Sequence, residues 1–144
     1  MSTLPIPDMH ILTLNTTQEG VVLLRETDHV LRRFGELAIH TLPAGAAAAY
    51  ALRAEADRVA FPLDGECSLR LLDLRQHSPS YGVHAVFSLQ AAAPQGVLVP
   101  FGVACSLTAA SPARGLWLST HSQAHAADRA ASADELQQFL PGLF

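Results

Sequence analysis

Lysine is absent from this 144-residue chain, and all nine basic residues are arginine. That excludes Schiff-base catalysis and a lysine general base. Charge is scarce, at 15% of residues against a typical ~25%, so part of the surface is expected to lie under a second subunit, as a homodimer. The net charge is −4 and no basic run exceeds Arg32–Arg33, which removes the electrostatic footprint of a nucleic-acid binder. Cys67 and Cys105 are the only cysteines, too few for a disulfide framework and without C-x-x-C spacing. A reducing, cytoplasmic setting is expected. No apolar run approaches the ~18 residues of a membrane span, and Met1–Met9 lacks the basic and apolar regions of a leader. A chain with no membrane segment and no export by the usual route is therefore expected. What the chain does have is apolar content, 49% of residues, enough to exclude a disordered segment and to build one domain over residues 1–144.

The apolar residues fall in short stretches: Val21–Leu24, Leu37–Leu42, Val59–Leu63, Ser68–Leu74, Val83–Leu89, Gly96–Val99 and Leu116–Thr120. Turn formers separate them, among them Asp64-Gly65, Ser78-Pro79 through Gly82, and Ser111-Pro112. Strands at this spacing predict an all-β sandwich or barrel. Helical periodicity enters only at the end. Ser132-Ala-Asp-Glu135 has the form of a capping box, and Leu136, Phe139 and Leu140 supply one apolar stripe. The expectation is a short C-terminal helix over about 133–140, lying on a barrel opening or a sheet face.

Two glycine-framed segments carry a resemblance. Residues 45–65 match the spacing G-x5-H-x-H-x4-E-x6-G at Gly45, Ala51, Arg53, Arg58 and Gly65. Within 96–109, Pro100, Gly102, Cys105 and Ala109 match P-x-G-x2-H-x3-N. Both resemble the paired motifs of the cupin family, which implies a jelly-roll β-barrel. Metal-binding cupins hold a divalent ion with the three histidines and the glutamate of these motifs. The residues here are Ala51, Arg53, Arg58 and Cys105, two permanent cations and one thiol, so no metal and no other cofactor is implied.

Asp73-Leu-Arg75 with Ser78-Pro-Ser-Tyr-Gly82, followed by Val97 through Ala104, resembles segments of the dTDP-4-dehydrorhamnose 3,5-epimerases, themselves cupins. The resemblance implies epimerisation of a 4-keto-6-deoxy nucleotide sugar for surface polysaccharide synthesis. A histidine would be the base, a tyrosine the acid and a lysine the stabiliser of the enolate. In this chain the base position is Ala51, two residues before Arg53. The acid position, counted from the Pro100 segment, falls on Leu118, and the lysine position on Arg58. Asp73 and Arg75 share one face of a strand and fit a structural role.

Candidates for a replacement base or nucleophile are His121, His40 and Cys105. Asp128 and Asp134 are candidate carboxylates, and His84 is a further histidine of the sheet. Arg53 and Arg58 are candidate ligand-binding residues that either capture an anionic or nucleotide-sugar ligand or are neutralised by Glu55 or Asp57. Two readings stay open: a divergent epimerase or isomerase with a shifted base, and a non-catalytic ligand-binding or structural cupin.

Overall fold

The computed structural model describes residues 5–20, 22–25, 30–45, 49–93 and 95–141. The strands are β1 (His10–Thr13), β2 (Asn15–Thr16), β3 (Val22–Leu23), β4 (Glu36–Leu42), β5 (Ala51–Leu52), β6 (Arg58–Asp64), β7 (Glu66–Asp73), β8 (His84–Gln90), β9 (Gln95–Val99), β10 (Val103–Thr108), β11 (Ala113–Ser119) and β12 (Arg129–Ala130). One helix, α1 (Ala133–Phe139), follows them.

Two five-stranded antiparallel sheets form the body. The first runs β1-β9-β6-β11-β4 and the second β12-β5-β10-β7-β8; β2 and β3 pair separately. From β4 to β7, and again from β9 to β12, consecutive strands alternate between the two large sheets, the crossing pattern of a jelly roll. The expected all-β sandwich is present, and every anticipated strand has a counterpart, although Val21 lies outside the described residues. Five strands were not anticipated: β1, β2, β5, β10 and β12.

Alternation along the strands fills the space between the sheets. Ala60, Val97, Val99 and Ala113 from the first sheet meet Leu69, Leu71, Leu89, Val103 and Leu107 from the second, and Ile6 and Met9 enter from the N-terminal segment. The outer face of the first sheet is apolar as well: Val59, Phe61 and Leu118 are buried there under Leu12, Leu14, Val30 and Leu31. Phe61 needs a gap in the neighbouring strand, and Gly96 supplies it, since a Cβ there would collide with the Phe61 ring. Pro62 has no N–H to donate and sits where pairing of β6 with β11 slips register, between Arg114 and Gly115.

The helix begins with the expected capping box. The Ser132 side chain accepts from the Glu135 backbone N–H, and the Glu135 side chain accepts from the Ser132 N–H. Its stripe of Leu136, Phe139 and the following Leu140 packs on Leu52, Leu72, Leu74 and Ala104. The helix therefore covers an outer sheet face and not a barrel opening. Among the described residues no helix is long and apolar enough to cross a membrane.

Candidate functional site

The motif positions meet from two different sheets. β5 and β6 belong to opposite sheets, so Ala51 and Arg58 face each other across the sandwich. Arg58 Nη2 donates to the Ala51 carbonyl at 3.2 Å and to Cys105 Sγ at 2.9 Å, while Ala51 and Cys105 are partners in the β5–β10 ladder. The guanidinium lies over the Trp117 ring, with Cζ 5.0 Å from the centroid, a cation–π contact. Ala51, Arg53, Arg58 and Trp117 all keep partial exposure, so solvent reaches this inter-sheet cleft.

Trp117, and not Leu118, faces the cleft. Along β11, Ala113 and Trp117 pack with the inter-sheet core, whereas Leu116 and Leu118 belong to the opposite, outer face. The placing of the acid position on Leu118 is corrected by this alternation: the inward side chain at that level is the indole, which packs on the core and on Arg58 together.

The two arginines differ in their counter-charges. Arg53 Nη1 lies 3.3 Å from Asp128 Oδ2, and Asp128 also accepts from the Ala54 and His125 backbone N–H groups at 2.8 and 2.9 Å. Burial works to raise the Asp128 pKa, but those hydrogen bonds and Arg53 outweigh it and lower it. Glu55 and Asp57, the carboxylates expected to neutralise the arginines, are committed elsewhere: Glu55 Oε1 is 3.3 Å from His121 Nε2, and Asp57 Oδ2 is 3.4 Å from Arg32 Nε. Among the described residues Arg58 forms no ion pair with a carboxylate.

The candidate bases separate equally clearly. His121 lines a polar recess of about 100 Å³ with Arg53, Glu36, Glu55, Ser119 and Asp128, yet both of its ring nitrogens are occupied. Thr120 Oγ1 accepts from the Asp57 N–H at 3.0 Å and lies 2.8 Å from His121 Nδ1. The other ring nitrogen, Nε2, faces the Glu55 carboxylate at 3.3 Å. With a neighbour on each nitrogen, this histidine is a structural link between Thr120 and Glu55. Cys105 is fully enclosed. Burial pushes its thiol pKa up, and the nearby charges of Arg58 and Arg53 oppose this only in part, so it is a thiol donor–acceptor and not a nucleophile.

His40 is the remaining candidate. Leu42 of β4 packs against the inter-sheet core, and alternation by two residues puts His40 on the same inward side, opposite Gly115 of β11. It is exposed, and nothing among the described residues hydrogen-bonds its ring. Asp134 stands in the first turn of α1, on the helix and away from the cleft residues. Among the described residues no group of three or more His, Cys, Asp or Glu side chains is placed to hold a metal ion.

Asp73 and Arg75, in contrast, form a closed hub. Asp73 is fully buried at 0% exposure and accepts from Arg75 Nε and Nη2, the Arg75 N–H, Ser78 Oγ and Ser80 Oγ. Arg75 also donates to the Pro7 carbonyl and to Asp8, at 3.0 and 3.2 Å. Its stem packs on Gly102, where φ is +86° and a Cβ would come within 2.6 Å of Arg75 Cγ. The hub binds the N-terminal segment, the β7–β8 turn and the β9–β10 turn together, the structural role expected of it.

No protein-family model and no curated protein sequence matches the chain. Solved structures do. A dTDP sugar isomerase from Desulfovibrio desulfuricans G20 superposes with a TM-score of 0.83 at 20% identity, over 98% of this chain and 93% of that one. The dTDP-4-dehydrorhamnose 3,5-epimerase of Elizabethkingia anophelis NUHP1 gives 0.79 at 17%, over 92% and 80%. A 3′-monoepimerase from Streptomyces bikiniensis, solved with dTDP-quinovose, gives 0.78 at 14%, over 96% and 75%. The chain has the cupin-type jelly-roll fold of the dTDP-sugar epimerases and isomerases.

Proposed function

We propose that the inter-sheet cleft binds a nucleotide deoxysugar, and that the chain does not carry out 3,5-epimerisation by the standard acid–base route. The observation that carries this reading is Arg58. It is a half-buried guanidinium, without a carboxylate partner among the described residues, that is stacked on Trp117 and roofs Ala51 where a base would stand. A cation held in this way retains donors for an oxyanion, which arginine engages bidentately, and the indole offers an apolar wall to the ligand. Structures of the same fold hold dTDP, dTDP-quinovose or dTDP-4-keto-L-rhamnose, which supports a nucleotide sugar as the ligand class. Deoxysugars of this kind serve surface polysaccharide synthesis, the setting proposed for this chain.

A second reading, an isomerase with a relocated base, is favoured by one observation: His40 lies on the inward side of β4 with its ring free of hydrogen bonds among the described residues. Deuterium incorporation separates the two. With dTDP-4-dehydro-6-deoxyglucose in heavy water, binding is expected to raise the melting temperature while C3 and C5 stay protiated, because loss of a general acid or base costs ~10²–10⁴ in rate each. Arg58→Gln should weaken binding by about tenfold or more, the loss expected for a charged hydrogen bond. Rapid exchange that disappears in His40→Ala would replace the first reading by the second; no thermal shift with any dTDP sugar would remove both.

We also propose a homodimer. Leu37 and Ile39 on edge strand β4 are about half exposed, at 50% and 56%. Among the described residues β4 pairs only with β11, and it contains neither proline nor lysine to protect its free edge.

A further inference from the structure

The outer face of the second sheet, on the side away from the cleft, is only partly covered by α1. Beyond the helix it carries a different constellation. Tyr50 directly precedes Ala51, the β5 partner of Cys105, and so stands beside Ser106. Ser106 is opposite Arg70, and Arg70 is opposite Val86. Tyr50, Ser106, Arg70 and Val86 thus form a row across four strands, with His84 next to it. Tyr50 Oη is 3.0 Å from His84 Nε2 and the two rings are 5.9 Å apart. Arg70 stands beside the same phenol and opposes the rise that burial imposes on its pKa.

Two things on this face are unbalanced. Arg70 Nε is buried without an acceptor, and among the described residues no carboxylate forms an ion pair with Arg70. The acidic residue of β7 on this face is Glu66, which accepts from Ser88; at about 3.3 Å per residue it is ~13 Å from Arg70 along the strand. The Tyr50–His84 pair is the second. Burial, with Arg70 nearby, lowers the His84 pKa. The one hydrogen bond between the two rings can run in either direction, so when a ligand supplies an acceptor for the Tyr50 hydrogen, the imidazole can donate its Nε2–H to the phenol oxygen. Buried polar groups are overwhelmingly satisfied, and beside an uncompensated guanidinium the acceptor that best satisfies both is negatively charged.

We propose that Arg70, Tyr50 and His84 form a second, external ligand site that takes a phosphate-sized oxyanion. Arg70 supplies the charge, the Tyr50 hydroxyl donates to one anion oxygen, and His84 orients the phenol. The site uses none of the cleft residues and lies on the opposite face of the same sheet.

The test is a titration of the full chain, followed by NMR signals of the His84 and Tyr50 rings, with inorganic phosphate and, separately, glucose 1-phosphate. Both rings should shift in wild type and equally in Arg58→Gln, which alters only the cleft. Tyr50→Phe should weaken binding on the order of tenfold, as loss of a hydrogen bond to a charged group does, and Arg70→Gln should abolish it. Should Arg70→Gln fail to fold, Tyr50→Phe, which keeps the ring, still decides. Tighter binding of the ester than of inorganic phosphate would identify an organic phosphate as the ligand, and equal binding the free ion; either supports the site. No ring shift at tens of millimolar anion, shifts untouched by Tyr50→Phe, or shifts abolished by Arg58→Gln would each overturn it.

Discussion

Arg75 and Arg58 are the same side chain in two opposite situations. Arg75 meets a fully buried carboxylate with Nε and Nη2, uses Nη2 on the Pro7 carbonyl as well, and turns Nη1 to Asp8. Arg58 meets a carbonyl, a thiol and an indole face. The first arrangement leaves nothing to offer a ligand and ties three segments of chain together. The second spends one nitrogen on the protein and keeps a positive charge in an open cleft. The resemblance in the sequence covers both, but the Asp73–Arg75 segment speaks for the scaffold, and only the Arg58 neighbourhood speaks for chemistry.

Stability measurements break the pair apart most sharply. Asp73→Asn should cost about 3–5 kcal/mol in urea or thermal unfolding, because it takes the buried counter-charge from a largely buried guanidinium and leaves only the exposed Asp8. Arg58→Gln should change stability by less than ~1 kcal/mol, since it removes an unneutralised cation along with its contacts. A comparable loss in both variants would erase the distinction. The acid limb sharpens it further. Burial works to raise the Asp73 pKa, but hydrogen bonds from Arg75, Ser80 and Ser78 prevail and lower it. A depressed carboxylate contributes stability that is complete above its unfolded pKa of about 3.9 and is lost as pH falls through the folded value. Wild type should therefore lose stability below about pH 4, while Asp73→Asn, already without that contribution, should show a flatter acid limb.

Association is the next largest effect. If β4 and its exposed Leu37 and Ile39 form the centre of an isologous interface, Ile39→Asp should shift sedimentation at micromolar concentration from dimer to monomer while leaving the fold intact. His40→Ala, on the other side of the same strand, should leave the dimer in place. A wild-type monomer under these conditions would remove the interface.

Which parts of this were legible in the sequence follows from where each interaction lies along the chain. The Asp73–Arg75 pair spans two residues and the capping box three, so spacing alone exposed them. Arg53 and Asp128 are 75 residues apart, and no local pattern joins them, which is why Glu55 and Asp57 were the natural expectation. β10 was hidden because Val103–Thr108 is buried on both faces and shows no alternation. The inward side of β11 was hidden for a related reason. Leu116, Trp117 and Leu118 are all apolar because the core lies on one side of the strand and the N-terminal residues cover the other, so the sequence does not say which of them faces inward. His121 was a reasonable base by position; only its contacts with Thr120 and Glu55 show that both of its ring nitrogens are engaged.

The smallest effect belongs to the one pair that is charged, well formed and superficial. Glu135 receives Arg129 Nη1 and Nη2 at 2.6 and 3.0 Å and also closes the capping box by accepting from the Ser132 N–H at 2.9 Å. The Arg129 guanidinium, more than the helix start and against the opposing effect of burial, brings its pKa down to about 2. Taken at face value so large a shift would imply a strong bridge, but 45% of the Arg129 side chain is exposed, and solvent screens such pairs to about 1 kcal/mol or less. The contribution is present above the ordinary glutamate pKa of about 4.3 and fades as pH falls toward about 2. Glu135→Gln keeps an acceptor for Ser132 and loses the ion pair, so it should lower stability at pH 7 by under ~1 kcal/mol and converge with wild type near pH 2. A loss as large as that of Asp73→Asn would mean that the docking of α1 on Leu52 and Leu72 depends on this surface pair, and that exposure is the wrong measure of what an arginine contributes in this fold.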